Sequence, residues 1–267
     1  MLSSLNRISA LLMRHLYLLR SSGPRLLDLV YWPTLEILVW GFFSSWMATH
    51  DNSSLALSVA AFLLGAVMMW EVLLRSQFGV TMSFFEEIWS RNLGHLFVAP
   101  LRPWEWVMAM MGMGIVRMVV GMVPAFLLAF FLYEYNILDV GLPLVGYFIN
   151  LVMMGWWMGF IVIAMILRWG LGAEGMAWMI PFMLAPLACI YYPVAGLPDW
   201  LQPVALALPA AHVFEGMRDA LSGGGFDLGR FAWAFGLNVF YAGIAVTIFN
   251  IAFRHARQTG KLLQTGE

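Results

Sequence analysis

Residues 84–103 read FFEEIWSRNLGHLFVAPLRP and form the longest polar break in a chain that is otherwise mostly apolar. Five charged or ionisable side chains fall in this stretch: Glu86, Glu87, Arg91, His95 and Arg102. A bilayer core does not accept that much charge in so few residues. Apolar residues recur among them at helical spacing, at Phe85, Ile88, Trp89, Leu93 and Leu96. The pattern predicts a short amphipathic helix over residues 84–97, lying on a membrane surface with its acids turned toward water or another protein.

The composition of the whole chain defines the class of protein. Of its 267 residues, 62% are hydrophobic and only 11% are charged, whereas soluble domains carry about 25% charged residues. We therefore expect an all-α integral membrane protein. Because one span needs about 20 apolar residues, the chain has room for six spans and for no sizeable soluble domain. Its single cysteine, Cys189, excludes an internal disulfide.

Six apolar stretches are predicted to cross the membrane, and they cover residues 26–48, 55–80, 104–132, 142–167, 176–192 and 228–253. Ahead of them, residues 2–20 fit an interfacial helix in which Arg7 and Arg14 lie opposite an apolar face. That face consists of Leu5, Ile8, Leu12, Leu16 and Leu19. Residues 193–227 contain four prolines among apolar residues, and they are too broken to span the membrane. We interpret them as a re-entrant pair of short helices before the last span.

The placement of basic residues predicts the orientation, because lysine and arginine concentrate in cytoplasmic loops. With six spans and a cytoplasmic N-terminus, 11 of the 14 basic residues fall on the inner side. They are Arg7, Arg14, Arg20, Arg25, Arg75, Arg91, Arg102, Arg168, Arg254, Arg257 and Lys261. The outer turns carry acids instead, among them Asp51, Glu134 and Asp227. Both termini and residues 84–97 are therefore expected on the cytoplasmic side.

Two segments resemble a known family. LFVAPLRPWEW, at residues 96–106, resembles the signature that precedes the third span in permeases of ABC-type exporters of the second (ABC-2) branch. LPDWLQPVALALPAAHVFEGMRDAL, at residues 197–221, resembles the segment between the fifth and sixth spans of the same family. The matching positions there are Pro198, Trp200, Leu201, Pro209, Glu215 and Arg218.

The resemblance implies a permease subunit that works as a homodimer with a second copy of itself and with two ATP-binding cassette ATPase subunits. ATP and Mg would be bound by those partners, since this chain contains no G-x-x-x-x-G-K-[ST] phosphate loop. Membrane lipids are a further expected partner, and nucleic acid is not. The implied location is a bacterial cytoplasmic (inner) membrane, with a lipid-linked glycan, a lipid or another amphipathic molecule as cargo.

In that family a cytoplasmic coupling helix contacts the ATPase, and residues 84–97 correspond to it here. The resemblance assigns the contact to Phe85, Glu86, Glu87, Ile88, Trp89 and Arg91. In the alternative interpretation these charged residues are only the water-exposed face of an interfacial helix. The alternative functions are a drug or small-hydrophobe exporter, an integral membrane transferase, and an ATP-independent carrier or channel. We predict no catalytic or metal site, because the five histidines are scattered and neither H-E-x-x-H nor G-x-S-x-G occurs.

Ionisable residues within the spans are candidates for structural pairs or for a substrate pathway. Glu71 and Arg75 lie one helical turn apart, which favours a structural ion pair. Arg117 needs a partner, because a lone arginine in a span costs about 2.5–3.5 kcal/mol. Glu36 and Glu71 are the candidate partners, and Arg117 serves either as a packing clamp or as a pathway residue.

Other residues are open to more than one interpretation. Four aromatic residues of the first and fifth spans could line a sugar or lipid pathway by stacking, namely Tyr31, Trp32, Tyr191 and Tyr192. Glu215 and Arg218 favour a local ion pair, with a gate as the alternative. Gly155 and Gly159 form a G-x-x-x-G that permits close helix approach, within the subunit or, as the second choice, at a dimer seam. The membrane–water interface suits Trp104, Trp106 and Trp200.

Overall fold

The structure, a computed structural model, describes residues 4–50, 54–96, 101–222 and 224–260. Every regular element in these ranges is helical, so the predicted all-α class is confirmed. The α-helices are α1 (Ser4–Arg20), α2 (Gly23–His50), α3 (Ser54–Trp89), α4 (Leu93–Leu96), α5 (Pro103–Tyr133), α6 (Leu142–Trp169), α7 (Met176–Leu184), α8 (Gln202–Leu206), α9 (Pro209–Leu221) and α10 (Leu228–Gln258). Some predictions fall on residues 2, 3, 51, 97–100, 223 and 261, which lie outside the described residues.

Within the described ranges, five helices are long and apolar enough to cross a membrane: α2, α3, α5, α6 and α10. The chain is thus a multi-pass membrane protein. The predicted fifth span, residues 176–192, is not one long helix. α7 ends at Leu184, and Cys189 takes a left-handed φ of +55°. Pro186 explains the break, since it lacks the backbone N–H that a longer helix needs, whereas Pro181 is accommodated inside α7.

The central helix of the bundle is α3. In an apolar 18-residue stretch of α3, 89% of the residues are buried. The corresponding fractions are 17% in α2 and 22% in α10, which therefore lie at the periphery. Glycines let α6 approach α3 closely, since a Cβ at Gly155 would lie 2.7 Å from the carbonyl oxygen of Leu73. A Cβ at Gly159 would likewise lie 3.2 Å from the Gln77 carbonyl oxygen. The prediction that the G-x-x-x-G packs within the subunit is confirmed.

α1 and the end of α10 both lie at one end of the bundle, where α3 ends and α5 begins. The Trp106 ring, at the start of α5, lies 5.8 Å from Phe84 and 6.3 Å from Phe253, near the end of α10. We call this the basic end, because most of the described arginines lie there. Trp106 is fully buried by these rings, so its predicted interfacial position is wrong. Trp104 and Trp200 are 49% and 74% exposed.

The predicted surface helix over residues 84–97 is not a separate element. α3 continues without a break through Phe84 to Trp89, and the one-turn helix α4 follows. The hydroxyls of Thr81 and Ser83 donate to the carbonyls of Gln77 and Gly79, so both polar side chains are accommodated within an unbroken helix. The break comes only at Ser90–Asn92, where the chain turns.

Residues 193–227 form the short helices α8 and α9 instead of a span, apart from residue 223, which is not described. α9 packs on α6, where a Cβ at Gly216 would lie 2.5 Å from the Tyr147 hydroxyl oxygen. The hydroxyl of Tyr241, near the middle of α10, donates a 2.9 Å hydrogen bond to the Ala207 carbonyl. The corner between α8 and α9 therefore lies level with the middle of α10.

Candidate functional site

Glu86, at the basic end of α3, is held by basic side chains from three other helices. Arg117 of α5 donates to its Oε2 at 2.6 Å, and Arg25 of α2 donates to its Oε1 at 3.2 Å. Nδ1 of His15, from α1, lies 3.2 Å from Oε2. The Glu86 side chain is only 8% exposed. Because a buried carboxylate is stable only when it is paired, this residue fastens α1, α2 and α5 to α3.

Its neighbour Glu87 is fully buried and equally well bonded. Arg14 donates to Oε1 at 2.6 Å, the Asn92 side chain donates to Oε2 at 2.7 Å, and His15 Nε2 lies 3.4 Å from Oε1. The acid–base cluster is the name we use for Glu86, Glu87, Arg14, His15, Arg25 and Arg117. The prediction that the two acids face water or another protein is wrong, because α1 covers them.

The predicted partner of Arg117, either Glu36 or Glu71, is also wrong. Its guanidinium is 5% exposed and bonds to Glu86 at 2.6 Å. A long arginine side chain reaches several ångströms along a helix, so Arg117 finds an acid at the basic end although its backbone lies well inside α5. This is the arrangement of a packing clamp between α3 and α5.

α1 is bound to the bundle through its polar face. Arg7 donates from Nη2 to Glu105 Oε1 at 2.6 Å, and Glu105 also accepts from the backbone N–H of Arg102, which caps α5. The arginine face of α1 therefore points inward, and Leu5 on its outer side is 76% exposed. The predicted helix is confirmed. Its arginines bond to acids of α3 and α5 and do not face water, and Leu19 of the predicted apolar face is also buried, so α1 contacts the bundle through both faces.

Beyond the acid–base cluster, the chain presents a small exposed surface. Trp89 is 52% exposed, with its ring stacked 5.2 Å from that of the buried Phe85. Arg91 is exposed and ends the helix in a left-handed conformation, with φ of +53°. We call Trp89, Ser90, Arg91 and His95 the exposed turn. Of the six residues predicted to contact an ATPase, only Trp89 and Arg91 are exposed, and Ile88 is partly buried.

A second polar site joins α9 to the irregular chain after α7. The predicted ion pair of Glu215 and Arg218 is confirmed at 2.9 Å. Nη2 of Arg218 also donates to the carbonyls of Cys189, Ile190 and Tyr192. Glu215 Oε1 accepts from the backbone N–H of Val194 at 2.7 Å. Since backbone groups without partners are costly at membrane depth, this pair makes the irregular segment possible.

The four predicted pathway aromatics do not form one group. Tyr31 and Trp32 contact each other edge to face at 5.4 Å, and both are exposed. Tyr191 instead stacks on Trp40 of α2, with 4.8 Å between ring centroids. The Tyr192 hydroxyl donates to the Pro186 carbonyl within its own segment. Trp40 was not among the predicted pathway residues, although its place eight residues after Trp32 puts both on one helix face.

The predicted pair of Glu71 and Arg75 is confirmed, with Nε 3.0 Å from Oε2 and both side chains buried. No three or more His, Cys, Asp or Glu residues are arranged to hold a metal ion in the part of the chain that the structure describes. His15, Arg25 and Glu105 were not predicted as site residues. A usable sequence signal was the excess of arginines near the N-terminus together with acids that lie within or beside apolar stretches.

The sequence was compared with family models and with curated proteins, and neither comparison gives a match. The class of protein consequently follows from the fold itself. It is an all-α multi-pass membrane protein in which a buried ionic cluster joins four helices behind one exposed turn.

Proposed function

We propose that the chain is the permease subunit of an ATP-driven exporter of the ABC-2 kind. Its cargo is a lipid-linked glycan, a lipid or another amphipathic molecule, moved outward across a bacterial cytoplasmic membrane. Two copies form a homodimer and associate with two ATPase subunits, which bind ATP and Mg. The chain crosses six times, with α7 and residues 185–192 together forming the fifth crossing.

The observation that carries this proposal is the connection between the exposed turn and the bundle. The turn follows directly on α3, the central helix, and the acid–base cluster joins α3 to α1, α2 and α5. Buried, fully paired charges resist separation. A partner that moves the turn would consequently move four helices together, which is what an external motor requires.

The chemistry of the exposed turn supports a protein contact there. Tryptophan and arginine are enriched among the residues that dominate protein–protein binding energy, and Trp89 and Arg91 are both exposed. Glu86 and Glu87 transmit the motion inside the protein and do not touch the ATPase.

The ends of the bundle support the orientation. α1 and the end of α10 lie at the same basic end, which requires an even number of crossings. The basic end faces the cytoplasm under the rule that arginine and lysine stay inside. Glu134, Asp219 and Asp227 belong to the opposite end. The α8–α9 pair, whose corner lies level with the middle of α10, is the re-entrant element before the last span.

The transferase and carrier alternatives are less well supported. A membrane transferase needs acids or histidines at one face that are free to act on a substrate. At the basic end, Glu86, Glu87 and Glu105 are each bonded to arginine. A carrier of the inverted-repeat kind would place interrupted helices in both halves, whereas the described interruption follows α7 only.

The test is ATP hydrolysis by a reconstituted complex. The chain is purified in complex with an ATP-binding cassette subunit that binds it, and the complex is placed in proteoliposomes. Arg91→Glu is compared with Arg257→Glu, which reverses another exposed arginine at the same end. Reversing a charge inside a contact is expected to lower the stimulated ATPase rate about tenfold, and the control is expected to keep it.

Two results would contradict the proposal. Equal stimulated ATPase rates for the two variants would show that the exposed turn does not contact the ATPase. Transport of a labelled amphiphile by the chain alone, without any nucleotide-hydrolysing partner, would remove the exporter assignment.

A further inference from the structure

Glu36 is an acid near the middle of α2, one of the helices long and apolar enough to cross a membrane. Its hydrogen bond in the described structure comes from a neutral donor, the Trp40 indole N–H, at 3.2 Å to Oε2. None of the ion pairs among the described residues includes Glu36. The nearby acid Glu71 is different, because Arg75 balances it.

Aromatic residues share the face of α2 that carries this carboxylate. Trp32, Trp40 and Phe43 lie at i−4, i+4 and i+7 from Glu36, which places them on its side of the helix. Tyr191 adds a ring from the segment after α7, stacked on Trp40 with an interplanar angle of 16°. Trp32 and Tyr191 are 43% and 40% exposed, so the face is open.

A carboxylate on an open face cannot be stable against lipid tails, since acids within spans face a partner, a cavity or a substrate path. The available chemistry selects the occupant. Aromatic faces attract onium and ammonium groups through cation–π interactions, and a carboxylate adds a charge-assisted contact. An anionic group would be repelled at the same place.

We propose that Glu36, Trp40 and Tyr191 bind the cationic group of the transported amphiphile, a protonated amine or a quaternary onium centre. The Trp40 N–H orients the carboxylate, and the cation contacts the exposed side of the stacked Trp40 and Tyr191 rings beside it. This inference rests on the proposed export function and narrows its substrate class to amphipathic cations.

The experiment measures binding without any ATPase. The purified full-length chain in dodecyl maltoside micelles is equilibrated by dialysis with radiolabelled tetraphenylphosphonium, and with tetraphenylborate as the anion of matched shape. Empty micelles give the background. The variants are Glu36→Gln, Glu36→Asp and Tyr191→Ala, and the control is Glu134→Gln, which neutralises an exposed acid outside the aromatic face.

Saturable binding of tetraphenylphosphonium, but not of tetraphenylborate, is the expected result for the unmodified chain. Glu36→Gln should weaken it about tenfold and Tyr191→Ala severalfold, while Glu36→Asp retains most of it and Glu134→Gln all of it. Tyr191 is partly exposed, so its variant tests the site even if Glu36→Gln fails to fold.

Equal affinity of Glu36→Gln and the unmodified chain would overturn the inference, as would preferred binding of the anion. A shift of the monomer–dimer equilibrium in Glu36→Gln with unchanged cation binding would also overturn it, because Glu36 would then pair with the second copy. The export function itself is tested separately, by the ATPase measurement on the reconstituted complex. Cation binding that depends on Glu36 in a chain that never stimulates an ATPase would support the site and contradict the transporter.

Discussion

The guanidinium of Arg117 bonds to the carboxylate of Glu86 at 2.6 Å and so ties α5 to the end of α3. Both side chains are nearly buried, and His15 and Arg25 contact the same acid. A basic residue that is unfavourable inside a span and an acid that is unfavourable inside the bundle thus stabilise each other. The first and second helices join the arrangement through the same carboxylate.

Replacing Arg117 by methionine tests this arrangement. Arg117→Met should lower stability by about 3 kcal/mol, because it leaves Glu86 buried without its shortest ion pair. The matched control is Arg25→Met, whose arginine contacts the same acid but is 46% exposed, and it should cost less than about 1 kcal/mol. Thermal unfolding in detergent measures both, and equal midpoints for the two variants would contradict the clamp.

The close approach of α6 to α3 gives a second prediction. Gly155→Ala should destabilise the protein, since the new Cβ would lie 2.7 Å from the Ser76 Cβ and from the Leu73 carbonyl oxygen. A cost of about 1–3 kcal/mol is expected for such overpacking. Gly243→Ala, where nothing lies within 4 Å of the new atom, should be neutral or slightly stabilising. If Gly155→Ala unfolds no earlier than Gly243→Ala, the two helices are not in this contact.

The single cysteine reports on the segment after α7. Cys189 is fully buried, and the Arg218 side chain bonds to its backbone carbonyl. Arg218→Met should release residues 189–192 and raise the rate of maleimide labelling of Cys189 by about tenfold, as expected when local opening becomes easier by about 1.4 kcal/mol. Arg230→Met removes an arginine that pairs with Asp219 and Asp227 instead, and it should leave the rate unchanged. A thiol that stays equally unreactive in both variants would show that Arg218 does not hold the segment.

Attachment of α1 through its arginines gives a fourth prediction. The double substitution Arg7→Gln with Arg14→Gln removes the ion pairs to Glu105 and Glu87, so α1 should exchange its amide hydrogens faster. Arg20→Gln changes an exposed arginine of the same helix and serves as the control. Hydrogen exchange followed by mass spectrometry resolves this helix, and unchanged protection in the double variant would mean that apolar contacts alone hold α1.

Much of the fold could be predicted because apolar runs of about 20 residues have few structural solutions. The helical class and the pairs Glu71–Arg75 and Glu215–Arg218 depend on local spacing, and the structure confirms them. The G-x-x-x-G packing was predicted for a similar reason, since Gly155 removes bulk where two helices cross.

The failures involve contacts between distant parts of the chain. Local periodicity predicted a solvated face for Glu86 and Glu87, because it contains no information on contacts with distant residues. Arg14, which bonds to Glu87, lies 73 residues earlier in the chain. The same limit hid the true partner of Arg117 and the burial of Trp106. A charge pattern shows that acids need partners, but only the three-dimensional packing decides which basic residues reach them.

The most direct test of the account is the side of the membrane on which the exposed turn lies. Ser90→Cys is introduced into a Cys189→Ala background, so that one exposed thiol remains, and a membrane-impermeant maleimide is applied to right-side-out and inverted vesicles. We predict labelling in inverted vesicles alone, and protection when the ATPase partner is bound. Labelling in right-side-out vesicles would contradict the account, because no cytoplasmic motor could then contact the turn.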